Sequence, residues 1–180
     1  MSLDPVDIEA IRALAYRVSY GHDLGDPDLV VASFTPDGRV LGASSLAPDR
    51  APAAVATGSA EIRTWAADGY ARCQGRARHL TLNELIDGAG DHATMRSYLV
   101  VLMTGWAPEA GVVLTARYED RLVRVDGRWL IAERVAIVDP TPGQGADGVT
   151  DPPMLLLLQR GAAERPSPGS GDGAGGTVRS

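Results

Sequence analysis

From Arg76 to Val138 the chain is an almost unbroken succession of β-forming segments, broken only at turn signals. RHLTLNELID at 78–87 reaches GAGD at 88–91, and ATMRSYLVVLMTG follows at 93–105. A segment at 111–125 then reaches Asp126-Gly127 and returns as RWLIAERVAIV at 128–138. An Asp-Gly pair between alternating apolar runs is a strong hairpin signal, because both residues tolerate the positive φ that a tight hairpin turn needs. Two hairpins in succession predict an antiparallel sheet, and this constrains the fold more than any other feature.

What precedes the sheet is helical. Asp4-Pro5 has the form of an N-cap followed by proline in the first turn, and Ile8, Ile11, Leu14, Ala15 and Val18 recur at helical spacing, predicting a first helix to about Gly21. DLVVASF predicts a short second helix ended by a turn at TPDG, residues 35–38, and RVLGAS at 39–44 predicts a first, weak strand. SLAPDRAPAAVATG reads as loop, and SAEIRTWAADGYAR as a third helix with Ile62, Trp65 and Ala66 on one face. Helices first and meandering strands afterwards is the α+β order, with the helices on one face of the sheet. A chain of 180 residues suits one core, assigned here to 1–138. Residues 139–165 form an extension in which MLLLLQRGAAER, 154–165, is apolar enough to require a partner surface, as a short helix over a pocket mouth or at a subunit contact. Residues 166–180 have the composition of a disordered tail.

Charge and cysteine usage remove several classes of function. The formal charge of −6 comes with no basic run, so the footprint of a nucleic-acid binder is missing. A lone Cys73 excludes an internal disulfide and a multi-cysteine zinc site. The acidic start and the lack of a long apolar run predict a cytoplasmic protein that does not enter membranes.

One strand departs from the pattern of a dry core. In RHLTLNEL, His79, Thr81, Asn83 and Leu85 share a face, and Leu80, Leu82 and Ile86 share the other, which reads as ordinary packing. On the strand at 111–125, Tyr118 and Asp120 sit among Leu114, Ala116 and Leu122. Ligand pockets are mostly apolar with a few placed polar groups, so a cavity between sheet and helices accounts for both strands. Asp120 and Arg134, facing each other across the Asp126-Gly127 hairpin, read as an internal ion pair.

The succession IRALAYRVSYGHDLGD, SFTPDGRV, RHLTLNELIDGAGDHATMRSY and ARYEDRLVRVDGRWLIAER, over roughly residues 6 to 138, resembles the nuclear-transport-factor-2-like superfamily. More narrowly it resembles the SnoaL-like branch, which includes polyketide cyclases, scytalone dehydratase and bile-acid dehydratases. The resemblance implies a cone, in which a curved antiparallel sheet wraps around the N-terminal helices and encloses one deep pocket. In dehydratase-like members an aspartate ending the first helix bonds a histidine on the strand after the third, and Asp23 and His79 fall at those places. The residue before that aspartate is tyrosine in scytalone dehydratase and His22 here, and that enzyme's second catalytic histidine has no counterpart.

These residues suit proton transfer. A histidine titrates near neutrality, and a carboxylate on one ring nitrogen fixes its tautomer and leaves the other nitrogen for substrate. The expected catalytic pair is therefore His79 with Asp23, with Tyr118, Asn83, Tyr98 and His22 as substrate-binding residues. Alternation alone does not decide between Ser97 and Tyr98. His22, Asp23 and His79 also have the composition of a two-histidine-one-carboxylate iron site, but adjacent helix residues diverge by about 100°, and no metal or cofactor is expected. The expected activity is dehydration, isomerisation or cyclisation of a hydrophobic carbonyl compound of polyketide, steroid or aromatic type, by a homodimer or homotrimer. The alternative is a non-catalytic binder or assembly subunit using the same pocket.

Overall fold

The computed structural model describes residues 2–105 and 110–140, so the expectations for 154–165 and 166–180 lie outside the described residues. Among the described residues three helices, α1 (Pro5–Leu24), α2 (Pro27–Val31) and α3 (Gly58–Cys73), accompany six strands: β1 (Phe34–Ser44), β2 (Ala53–Thr57), β3 (Ala77–Ala89), β4 (His92–Met103), β5 (Gly111–Val125) and β6 (Arg128–Val138). The strands form one curved, open sheet in the order β2-β1-β6-β5-β4-β3, the α+β arrangement the sequence implies.

The sheet is antiparallel except where β1 runs parallel to β6. Hairpins force antiparallel pairing within β1–β2 and within β3–β6, but these two blocks are joined only through α3, and no tight turn governs the seam where they meet. Every strand pair also carries a register shift, and extra residues of this kind bend the strands that contain them and increase the local twist. Such shifts let a sheet curve around helices.

Local signals were realised at the turns and caps. Asp4 accepts from the Asp7 amide at the start of α1, and Asp126 and Gly127 take φ of 49° and 75° in the β5–β6 turn. α1 nevertheless runs past Gly21 to Leu24, ending at Gly25 in the left-handed conformation. Gly21 serves packing instead, since a Cβ there would lie 2.6 Å from Val30 Cγ2 on α2. TPDG does not end an element but lies within β1 as a bulge: Phe34 pairs with Ile131 and Arg39 with Glu133, five residues of advance against two. The loop reading of 45–58 also missed β2, an alanine-rich edge strand whose pairing with β1, not its own propensity, makes it a strand.

The interior divides in two. One cluster, with Ile11, Leu14, Val18, Val30, Phe34, Ile62 and Ile131, joins the helices to the sheet. The other, with Ala77, Leu99, Val101, Met103, Leu114, Tyr118, Ala136 and Val138, belongs to β3–β6 and to Cys73 at the end of α3. Most of the second cluster faces a cavity, so those residues are walls and not filling.

Candidate active site

The cavity lies between α3 and the sheet and has a volume of about 600 Å³. Val40, Val101, Met103, Leu114 and Val138 give it an apolar lining, and His22, His79 and Tyr118 contribute polar groups. That composition is the one expected of a small-molecule site.

The polar face of β3 has a definite partner. Ser19 and Thr81 share a hydrogen bond of 3.1 Å between hydroxyls, and one turn further along α1 Asp23 meets His79. Four residues on a helix and two on a strand advance by similar distances, about 6 and 6.6 Å, so the two elements stay in step. The Tyr16 hydroxyl extends the seam by donating to Glu84 at 3.1 Å. The polar residues of β3 thus bind α1 to a strand that, among the described residues, stands at the edge of the sheet.

At the cavity end of this seam, Nδ1 of His79 lies 2.6 Å from Oδ1 of Asp23. The backbone N–H of His79 also donates to both carboxylate oxygens, at 3.1 Å each. Asp23 therefore holds the ring and the strand that carries it. It does not cap its own helix, because Gly25 closes α1 by donating to the Gly21 carbonyl. An ionised carboxylate only accepts, so the Nδ1 proton sits between the pair. Nε2 of His79 has no protein partner among the described residues. Both side chains are largely buried, at 18% and 11% exposure.

Tyr118 forms part of the cavity wall and rests on a buried ion pair. Arg134 donates from Nε and Nη2 to the two oxygens of Asp120, both at 2.8 Å, and its guanidinium carbon lies 4.0 Å from the centre of the Tyr118 ring. Burial, the largest influence, pushes the Tyr118 hydroxyl above its ordinary value, so it stays protonated and able to donate. Asp120 and Arg134 are the internal ion pair their spacing implied.

His22 lines the cavity beside His79, with the ring centroids 5.4 Å apart, and meets Trp65 edge-on at 4.5 Å. Its ring nitrogens have no hydrogen-bond partner among the described residues. Burial, followed by the charges of His79 and Arg134, pushes His22 from 6.5 down to about 3, so it is neutral at physiological pH. The unfolded chain takes up this proton below its ordinary pKa while the folded chain does not. Stability attributable to His22 is thus intact above about pH 6.5 and falls as pH drops towards 3. Between pH 6.5 and 5 the expected loss is about 1.5–2 kcal/mol. Urea unfolding of wild type and His22→Phe across that window checks it, and the variant should show a flatter dependence.

Two of the expected binding residues do not reach the cavity. Asn83 has φ of 57° and sits in a bulge where Leu82 pairs with Tyr98 but Leu85 with Arg96. The inserted residue reverses the alternation, so Asn83 and Leu85 are exposed while Glu84 and Ile86 continue the inward face of His79 and Thr81. The same geometry corrects the Leu80 face: Leu80 and Leu82 are 40% and 43% exposed on the outside of the sheet. Tyr98 is also outward, 58% exposed, and its neighbour Ser97 is the inward residue, cross-strand from Tyr118 and with a buried hydroxyl that has no partner among the described residues. Beside Trp65, which helical spacing already places on the packing face, α3 lines the cavity with Thr64, Asp68, Gly69 and Arg72, which in sequence resemble a solvated helix face.

Among the described residues no group of three or more His, Cys, Asp or Glu side chains is placed to hold a metal ion, and no helix is long and apolar enough to cross a membrane. Comparison with known proteins gives a match of residues 6–135 to the family described as SnoaL-like domain. No protein of curated function matches the chain. Solved structures do. A protein of unknown function with a cystatin-like fold from Nostoc punctiforme is 28% identical, with a TM-score of 0.63, over 78% of this chain and 97% of its own. The D26N form of Rv3472 from Mycobacterium tuberculosis, also of unknown function, is 26% identical, with a TM-score of 0.66, over 90% and 98%. A protein from Novosphingobium aromaticivorans provisionally named as a scytalone dehydratase is 25% identical, with a TM-score of 0.61, over 78% and 89%.

Proposed function

The chain belongs to the SnoaL-like domain family, and from that premise we propose that its cavity binds a hydrophobic carbonyl compound on which His79, oriented by Asp23, performs general acid–base catalysis. The reaction is a dehydration, isomerisation or cyclisation that needs no cofactor. The observation that carries this reading is the 2.6 Å bond between Nδ1 of His79 and Asp23 on the wall of a largely apolar cavity. Nε2 of His79 removes a proton from the carbon next to the substrate carbonyl, and the electron pair moves onto the carbonyl oxygen. The Tyr118 hydroxyl donates to that oxygen as its negative charge grows. Asp23 stabilises the imidazolium that results. In a dehydration the electron pair then returns to expel the β-hydroxyl, which leaves as water with the proton held by His79. In an isomerisation that proton returns to a different carbon. Polyketide, steroid and aromatic ketones are the substrate classes, and the similarity to a protein provisionally named as a scytalone dehydratase supports dehydration among the three.

A non-catalytic binder is the second reading. The Ser19–Thr81 and Tyr16–Glu84 contacts favour it, because they make the Asp23–His79 pair one member of a seam that also holds the fold together. Incubation with a panel of hydrophobic β-hydroxy ketones, followed by absorbance of the conjugated enone, separates the two: turnover of any member supports the enzyme, and saturable binding without turnover across the panel supports the binder. The cytoplasmic location and homo-oligomeric state belong to the same proposal. The outward Leu80, Leu82, Leu85 and Tyr98 support self-association through the outer face of the sheet.

A further inference from the structure

Glycine inside a helix is destabilising relative to alanine, so each such position needs a reason in the structure. For Gly21 the reason is the approach of Val30. Gly69, in the interior of α3, has no such neighbour: a Cβ there would meet a single heavy atom within 4 Å, Nδ1 of His22, at 4.0 Å. That is ordinary van der Waals contact, so alanine would fit. Its backbone also has no positive φ to accommodate. Neither packing nor backbone conformation calls for glycine at this point.

What the missing side chain does is keep space open. Gly69 and His22 both line the cavity, so the space beside Gly69 is continuous with it and leads to an imidazole with no hydrogen-bond partner among the described residues. The edge of Trp65 holds that imidazole in place, and His79 stands beside it at a centroid distance of 5.4 Å. A neutral imidazole offers one donor and one acceptor, so it can take either a hydroxyl or a carbonyl oxygen. An oxygen bound to Nδ1 from the α3 side, at about 2.9 Å, would overlap a methyl group placed on Gly69.

We propose that Gly69 is a specificity-determining residue: by withholding a side chain it lets a ligand oxygen reach Nδ1 of His22, which acts as a second polar anchor beside the His79–Asp23 pair. The ligand class is then a mainly apolar frame with two oxygen functions, one for each imidazole. This rests on the reading that the cavity binds a hydrophobic carbonyl compound, but requires no chemistry at His79.

The test uses two probes of nearly equal outline, 2-naphthol and 2-methylnaphthalene, titrated by their fluorescence into wild type, Gly69→Ala, Gly69→Val and His22→Phe. A single hydrogen bond makes a preference for the naphthol of about tenfold in the wild type. Gly69→Val and His22→Phe should each reduce it to about twofold while 2-methylnaphthalene still binds. Gly69→Ala should reduce the preference as well and raise Tm by a few degrees, which shows that the loss of preference is not a loss of fold. An undiminished preference in either Gly69→Val or His22→Phe overturns the proposal, and so does failure of the wild type to bind either probe. Loss of proton transfer in His79→Gln bears only on the catalytic pair, so the two readings fail separately.

Discussion

Arg134→Met should cost the fold about 3–5 kcal/mol, a fall in Tm on the order of 10 °C. Arg134 and Asp120 are 1% and 2% exposed, and the guanidinium neutralises the aspartate charge through the two hydrogen bonds between them. Methionine fills much of the arginine volume but leaves Asp120 as an unpaired charge in an apolar layer, and a lone buried carboxylate is far less tolerable than a paired one. The double variant Arg134→Met, Asp120→Leu should recover most of the loss, because it removes both charges together. Urea unfolding of the two variants checks this, and a loss below about 1 kcal/mol in the single variant would show that the pair contributes little. The double variant has a further use. It keeps the Tyr118 hydroxyl but removes the guanidinium under its ring, so any effect on rate that it retains reports how firmly that ring is held.

The second large effect is on rate. General acid–base groups contribute about 10²–10⁴-fold, so His79→Gln should lower turnover by at least two orders of magnitude while retaining ligand binding, because glutamine keeps polarity but cannot cycle a proton near neutral pH. Asp23→Asn should also lower the rate by about 10²-fold or more, because it removes the charge that stabilises the imidazolium. The two substitutions differ in their structural cost. Asp23 also accepts the backbone N–H of His79, and asparagine can accept there with one oxygen, so the α1–β3 seam should survive. Steady-state turnover measured with ligand affinity and Tm separates these effects. Near wild-type turnover in both variants would make the pair structural.

The fold could be read from the sequence wherever the signal was local. Asp4-Pro5 and Asp126-Gly127 each fix a backbone conformation through their own chemistry, and both occur in the structure as expected. The Asp120–Arg134 pair followed from strand alternation across a two-residue turn. Features set by tertiary pairing could not be read this way. β2 has no propensity of its own to announce it, and TPDG, a turn sequence in isolation, becomes a bulge because β6 continues to pair on either side of it.

The candidate site shows the same division. His79 and Asp23 were legible because they precede any irregularity on β3 and lie at the end of α1, where a resemblance in residue order carries over. Asn83 was misplaced because one inserted residue reverses the alternation, and an asparagine in the left-handed conformation looks in sequence like any other polar strand residue. Tyr98 was misplaced for lack of an anchor to fix the parity of β4, which only its pairing with β5 supplies. The α3 wall was hidden by its composition. Helix residues facing a large cavity need not be apolar, so Asp68, Gly69 and Arg72 carry no amphipathic signature.

If His79 moves a proton at the carbon next to a carbonyl, that proton exchanges with solvent in any ketone the cavity binds, whatever the natural substrate. Hydrophobic ketones incubated in D₂O with the wild type should incorporate deuterium at the α-carbon, followed by loss of the corresponding ¹H NMR signal. In His79→Gln the exchange above the uncatalysed background should fall to about 1% of the wild-type rate or less, while its Tm and its affinity for the ketone remain close to those of the wild type. Exchange that continues undiminished in His79→Gln, with the ketone bound in the cavity, would show that His79 is not the base.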